Sequence, residues 1–368
     1  TRQSTLFPYT TLFRSVVAHE FGHFIVAKKS GIRVDEFSFG FPPKIIGKKV
    51  GETNYNINAV PFGGYVKIYG EDGDEETLKQ DASRSFISKP RWNQALVLVA
   101  GVTMNFVLAW FLLSVGFMSG LPSSTSSFSN TNRIKDQALT ITSVLEGSPA
   151  DIAGLKTGDK INYLETDADS TLLLSSYFDQ TAVQNFIKKH PNEEVRVNIT
   201  RAKDTLTLST KPVLDEEKTS KLGISMDMIG KLKLPIHQAL YEGFKLSGNL
   251  FIGTATGFFD LIKSSIKGDG DLSSISGPVG IVSVVGDAAD FGFIYLLSFT
   301  ALISINLAVI NLIPFPALDG GKLLFLLIEK IKGSRIKSSV AGLINSIGFG
   351  ILILLMLFIT YNDITKLF

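Results

Sequence analysis

The chain has 368 residues with 36 basic against 34 acidic side chains, long enough for two or three domains and too evenly charged to imply a nucleic-acid partner. It has no cysteine, which excludes a disulfide framework and leaves only nitrogen and oxygen for any metal site. Apolar residues make up 45%, and with 27 phenylalanines and a positive mean hydropathy the composition leans towards a membrane protein.

Residues 1–15 carry Arg2, Pro8 and Arg14 among Thr and Ser, and fit neither a signal peptide nor a span. Residues 7–15 look like translated sequencing adapter, so the expectation is a non-native segment standing where a first span should begin. The apolar run that follows, a remnant of that span over 16–32, contains His19-Glu20-Phe21-Gly22-His23. On a helix, residues four apart share a face, so two ring nitrogens can meet at one point. That pair suits zinc, and Glu20 stands where a general base for a zinc-activated water belongs. Ionisable groups in so apolar a setting are costly without a role. The competing reading is a chance match on a surface helix.

Lys28, Lys29 and Arg33 then mark a cytoplasmic edge. Residues 34–68 alternate in a strand-like way broken by Gly and Pro, which predicts short hairpins. Within it, Pro61-Phe62-Gly63-Gly64-Tyr65-Val66 pairs two glycines beside a strand, which lets another backbone approach. Either an extended substrate is laid there as an added strand or the glycines make an ordinary tight turn, and the spacing leaves both open. Residues 71–76 read as an acidic loop.

No charge occurs between Arg91 and Arg133, between Asp290 and Asp319, or between Lys337 and Asp363, and each gap holds close to the roughly 20 apolar residues that cross a bilayer. The predicted spans are 92–121, 291–313 and 341–360. Asn105 lies well inside the first of these and must find a partner, on another helix or on bound substrate. After a Ser/Thr-rich linker at 123–132 the composition turns soluble. Strands are predicted at 139–144, 194–200 and 205–209, with a helix at 182–189. The run Gly147-Ser148-Pro149-Ala150 to Ala153-Gly154-Leu155 and Gly158-Asp159-Lys160-Ile161 resembles a PDZ domain, whose groove takes peptide by strand addition.

Residues 237–266 read as an amphipathic helix and Gly268-Asp269-Gly270-Asp271 as a turn. The span at 291–313 contains Asn306 and runs through Asn311 into Pro314-Phe315-Pro316-Ala317-Leu318-Asp319-Gly320-Gly321. Two prolines two apart break the helix at or in the membrane. Asp319 is then a candidate third ligand, leaving a fourth zinc position for water; alternatively it caps the helix starting at Gly320. Lys322, Lys330, Lys332, Arg335 and Lys337 mark the cytoplasmic side again.

The combination of His19-Glu20-x-x-His23, Asn311-x-x-Pro314-x-Pro316-x-Leu318-Asp319-Gly320 and an intervening PDZ segment resembles the site-2 protease family, most of all the bacterial branch that includes the regulator of sigma-E protease. The resemblance implies a polytopic α-helical membrane protein of about four spans, the first truncated, with a membrane-associated β-loop over 33–91 and one inserted extracytoplasmic PDZ domain of α+β type over 123–215. It implies zinc held by His19, His23 and Asp319, with Glu20 catalytic. Asn306, Asn311, Gly63, Gly64, Tyr65 and Val66 would bind substrate. It further implies cleavage of single-span membrane proteins, such as anti-sigma factors or remnant signal peptides, in the bacterial cytoplasmic membrane, with a peptide tail or substrate ectodomain at the PDZ groove. Two other classes stay open: a membrane-anchored PDZ adaptor, which needs no stoichiometric metal, and a zinc-linked transporter, which predicts zinc flux and no peptide products.

Overall fold

The computed structural model describes residues 7–71, 81–125, 133–167, 179–214, 219–267, 277 and 292–365. The acidic stretch 72–76, most of the Ser/Thr-rich linker and the Gly268–Asp271 turn lie outside these. The chain forms two compact units, one of residues 1–115, 236–289 and 296–368, the other of 116–235 and 290–295.

The first unit begins with α1, Phe7–Lys29, which takes in both the segment 7–15 and the histidine pair. The helix is continuous through Ser15, and Pro8 is tolerated because a first-turn residue has no helical partner for its N–H. At 1.5 Å per residue its 23 residues extend about 34 Å.

Strands β1, Val34–Val50, and β2, Thr53–Ile68, follow. Each is bent, and together they make a four-segment antiparallel sheet. Residues 34–39 sit in the middle: Phe37 is opposite Tyr55 on one side and Val66 on the other, while Ile46 pairs with Ile57 beyond. Residues 64–68 are therefore an edge. Alternating residues anchor the sheet to α1 through an aromatic cluster, with Phe24 and Phe37 rings 5.2 Å apart and Phe24 and Tyr55 6.0 Å apart. Ala27, Ile32, Val34, Ile68, Phe86, Val97 and Leu98 close the core beneath it.

The hairpin turn is held by charge. Glu52 accepts from Lys28 Nζ at 2.6 Å and from Arg84 at 2.7 Å, and the two cations hold its carboxyl well below the usual carboxylate range. A depressed folded pKa means stability that is present above the unfolded value near 4.5 and lost as pH falls below it. The pair is partly exposed, so Glu52→Gln should cost about 1 kcal/mol at pH 7 and almost nothing near pH 2. Thermal melts of both proteins across that range check it.

Helix α2, Arg91–Ser119, leads out of this unit, and the chain returns with α5, Ile236–Lys267. Phe106 and Trp110 on α2 meet Phe244 on α5 edge-on, and Trp110 Nε1 donates to the Leu240 carbonyl at 2.8 Å. Then come α6, Phe293–Leu312, α7, Asp319–Lys332, and α8, Ser338–Thr365. Among the described residues, α2, α6 and α8 are the three helices long and apolar enough to cross a membrane.

The second unit is a six-stranded antiparallel sheet with the order β3-β10-β4-β5-β6-β7. Its strands are β3, Leu121–Ser124; β4, Ile134–Val144; β5, Lys160–Glu165; β6, Val195–Arg201; β7, Asp204–Thr210; and β10, Ile224–Leu232. A separate pair, β8 (Val213–Leu214) and β9 (Ser220–Lys221), stands beside it. Helices α3, Pro149–Ile152, and α4, Gln180–Lys189, cover a core of Leu139, Ile141, Ile161, Val183, Val195, Val197 and Ile199. Strand β10 lies beyond the strands predicted from sequence, although Leu222, Ile224, Met226 and Met228 alternate cleanly; it pairs with β4 along its length and with β3 over Ile229–Leu232.

Candidate metal centre

Four elements of the first unit converge on one chamber of about 290 Å³. Helix α1 supplies His19, Glu20 and His23 on one face, as the four-residue spacing requires. The double-proline break after α6 turns the chain so that α7 starts at Asp319, beside the two rings. His19 Nε2 and His23 Nε2 are 3.1 Å apart, and they lie 3.0 and 3.1 Å from Asp319 Oδ2.

Asp319 does not cap α7. The N-cap is Leu318, and no side-chain capping bond is made there. Its carboxylate is aimed at the imidazoles instead, and Oδ2 is buried without a hydrogen bond.

The tautomer of one ring follows from its other nitrogen. His23 Nδ1 donates to the Val97 carbonyl at 2.8 Å, which leaves the lone pair on Nε2 facing the site. His19 Nδ1 lies 3.3 Å from the Asn105 side-chain amide, whose Oδ1 is buried without a partner. Turning that amide end for end, a choice the heavy atoms leave free, makes Asn105 the acceptor for Nδ1–H and turns a second Nε2 lone pair inward. Three electron-rich atoms then face one point, an arrangement that a shared cation stabilises. Zinc bonded at 2.0–2.2 Å in a tetrahedron sets its ligand atoms about 3.3 Å apart, within a few tenths of these separations. The donor set fits zinc.

Close helix packing makes the site compact. A Cβ on Gly101 of α2 would overlap the His19 and His23 rings, and one on Gly22 of α1 would overlap the Ala100 carbonyl. Only two glycines at this crossing let the helices approach so nearly.

Glu20 lies at the same chamber, and its Oε2 accepts from the Val66 backbone N–H at 3.0 Å. The carboxylate between the histidines thus holds the edge segment 64–68. Tyr65, Val66 and Asn311 line the chamber with it. Gly63 and Gly64 precede Tyr65 on the same edge; a Cβ on Gly64 would crowd the Ser38 carbonyl. Asn306 is not brought to the chamber: its Oδ1 accepts from Thr254 of α5 at 3.2 Å. Asn105, for which the sequence allows a helix partner or a substrate, contacts His19, and its backbone carbonyl accepts from the Ser304 hydroxyl of α6 at 3.0 Å.

The profile of Peptidase family M50 matches residues 9–355. A Clostridium perfringens chain assigned to the zinc metalloproteases by name is 35% identical over 95% of both chains. The zinc metalloprotease RasP of Shouchella clausii is 30% identical over 99% of this chain and 100% of its own, and the regulator of sigma-W protease RasP of Bacillus subtilis is 28% identical over 99% of each. With two histidines of α1 and the carboxylate that opens α7 gathered at one point, and with three membrane-length apolar helices, the chain belongs to Peptidase family M50, the site-2 proteases, and is a membrane zinc metalloprotease.

Proposed function

We propose that the chain is an intramembrane endopeptidase in which His19, His23 and Asp319 hold zinc, Glu20 is the general base, and the substrate is the transmembrane segment of a single-span protein of anti-sigma-factor or remnant-signal-peptide type, cut during regulated intramembrane proteolysis. The observation that carries this reading is the triangle of two Nε2 atoms and one Oδ2 at 3.0–3.1 Å, beside a carboxylate already bonded to a strand edge. Zinc bound there supplies polarisation of the scissile carbonyl and a lowered pKa for water. Glu20 takes the proton from the attacking water and delivers it to the leaving amine nitrogen.

A peptide bond in a membrane helix is shielded by its own hydrogen bonds, so the substrate must unwind and be given replacements. The edge at Gly63, Gly64, Tyr65 and Val66 offers them by strand addition, the glycines letting this edge lie close against residues 38–41. Asn311 reaches the same chamber. Asn306 would join it only after releasing Thr254.

The second unit is read as a PDZ-like domain on the outer side of a bacterial cytoplasmic membrane, with the loops at 28–91 and 320–338 inside. The basic clusters flanking those loops support this orientation. Strand β3 pairs only with Ile229–Leu232, so Ile224 to Met228 keep an edge open towards α4. A groove of about 720 Å³ lies there, lined by Gln184, Ile187, Leu222 and Ile224 among others, and an extended tail fits it as an added strand.

The test is reconstitution with a tagged single-span substrate. Cleavage within the hydrocarbon segment should stop on chelation and return with added zinc. Products formed at an undiminished rate by metal-free protein would sink the reading.

A further inference from the structure

Two cavities of the first unit meet at one ion pair. The wall of the metal chamber carries Glu71 and Lys322 in addition to the triad and Glu20. Lys322 Nζ donates to Glu71 Oε1 at 2.6 Å. Lys322 sits one turn after Asp319 on α7, and Glu71 follows the end of β2, so the pair links the helix bearing the third triad residue to the exit of the edge segment. Behind it is a second cavity of about 190 Å³. Glu71 and Lys322 are the two residues that line both spaces, and the second continues past Gln94, Glu329 and Asn345 to the exposed Arg335.

We propose that the Glu71–Lys322 ion pair is a gate between the chamber and this second cavity, admitting water and releasing the polar ends that cleavage creates. Each hydrolysis consumes one water, and both histidines are only 6% exposed. Beside the apolar Val16, Ile68, Leu307 and Ala317, this pair is the part of the wall that adjoins the second cavity. A charged pair hydrates as it parts, which gives water a path from one space to the other. With side chains 34% and 17% exposed, both ends of the pair are within reach of water. It parts by side-chain rotation, on the fast timescale of rotamer changes, without moving either backbone. The purpose assigned to the gate rests on the reading of the chamber as the active site, but its opening is a matter of access alone.

The absence of cysteine makes that access measurable. Leu307→Cys places a single thiol on the chamber wall, and Ala341→Cys places one in the second cavity as a control. In the purified full chain, Glu71→Gln or Lys322→Met should raise the rate at which a charged, water-soluble thiol reagent labels position 307 by about fivefold, the population shift that an exposed pair can hold back, while labelling at 341 stays constant. The exchange Glu71→Lys with Lys322→Glu should restore the slow rate, and it also serves if either single variant folds poorly. Equal rates at 307 with the pair intact, broken and exchanged would overturn the proposal. Labelling requires neither zinc nor turnover, so the two readings fail separately: unchanged labelling in a zinc-dependent peptidase removes the gate, and gated labelling in a protein that cleaves nothing removes the peptidase.

Discussion

Glu20→Gln is expected to keep a full complement of zinc and the melting temperature of the parent while losing about 10²- to 10⁴-fold in kcat, the range that general-base catalysis supplies. The substitution separates two roles that the structure combines. Glu20 Oε2 accepts the Val66 N–H at 3.0 Å, so the carboxylate holds the edge segment as well as facing the triad. A glutamine oxygen still accepts that bond, and the edge stays in place, but an amide cannot take a proton from water. Were Glu20 only a bracket for the strand, the variant would cleave normally. Paired measurement of zinc content and single-turnover cleavage decides between them, and turnover near the parent's rate would remove Glu20 from the proton path.

The triad was legible because residue type and spacing carry its chemistry. Two histidines four apart on an apolar helix have few other uses, and Asp319 ends a long uncharged run. The sequence leaves open whether Asp319 caps a helix or turns to the histidines, since both uses put Asp at a helix start; the fold makes Leu318 the N-cap and sets the Asp319 carboxylate against both rings. Asn306 and Asn311 illustrate a signal present and not used. Five residues apart on a helix they are turned by roughly 140° from each other, so both could not face one chamber unless the helix broke between them. Asn105 was recognised as needing a partner, but nothing local names His19, 86 residues away. The same limit applies to the continuity of α1. The helix starts at Phe7, and contacts that no local pattern names support it, such as the 6.2 Å approach of the Phe13 and Phe39 rings.

Gly101→Ala should damage the enzyme as severely as loss of a ligand, although Gly101 touches neither metal nor substrate by any side chain of its own. The added Cβ falls on His23 Nε2 and on the Cε1 atoms of both rings, the atoms that must stay clear for a cation. Relief by moving the helices apart is opposed by the reciprocal contact of Gly22 with the Ala100 backbone, and by the Val97 carbonyl, which would leave His23 Nδ1. Overpacking of this kind costs about 1–3 kcal/mol even where the surroundings adjust, and here the part that adjusts is the metal site. The comparison that isolates sterics is Asn105→Ala, which takes a partner from His19 without adding bulk. Loss of an outer hydrogen bond should weaken zinc by about 10- to 100-fold, and Gly101→Ala should exceed that. Competition with a chromophoric chelator measures both in detergent. If Gly101→Ala bound zinc as tightly as the parent, the helix crossing would have to open by a few tenths of an ångström at no expense, and the two-glycine contact would not be what sets the spacing of the three ligand atoms.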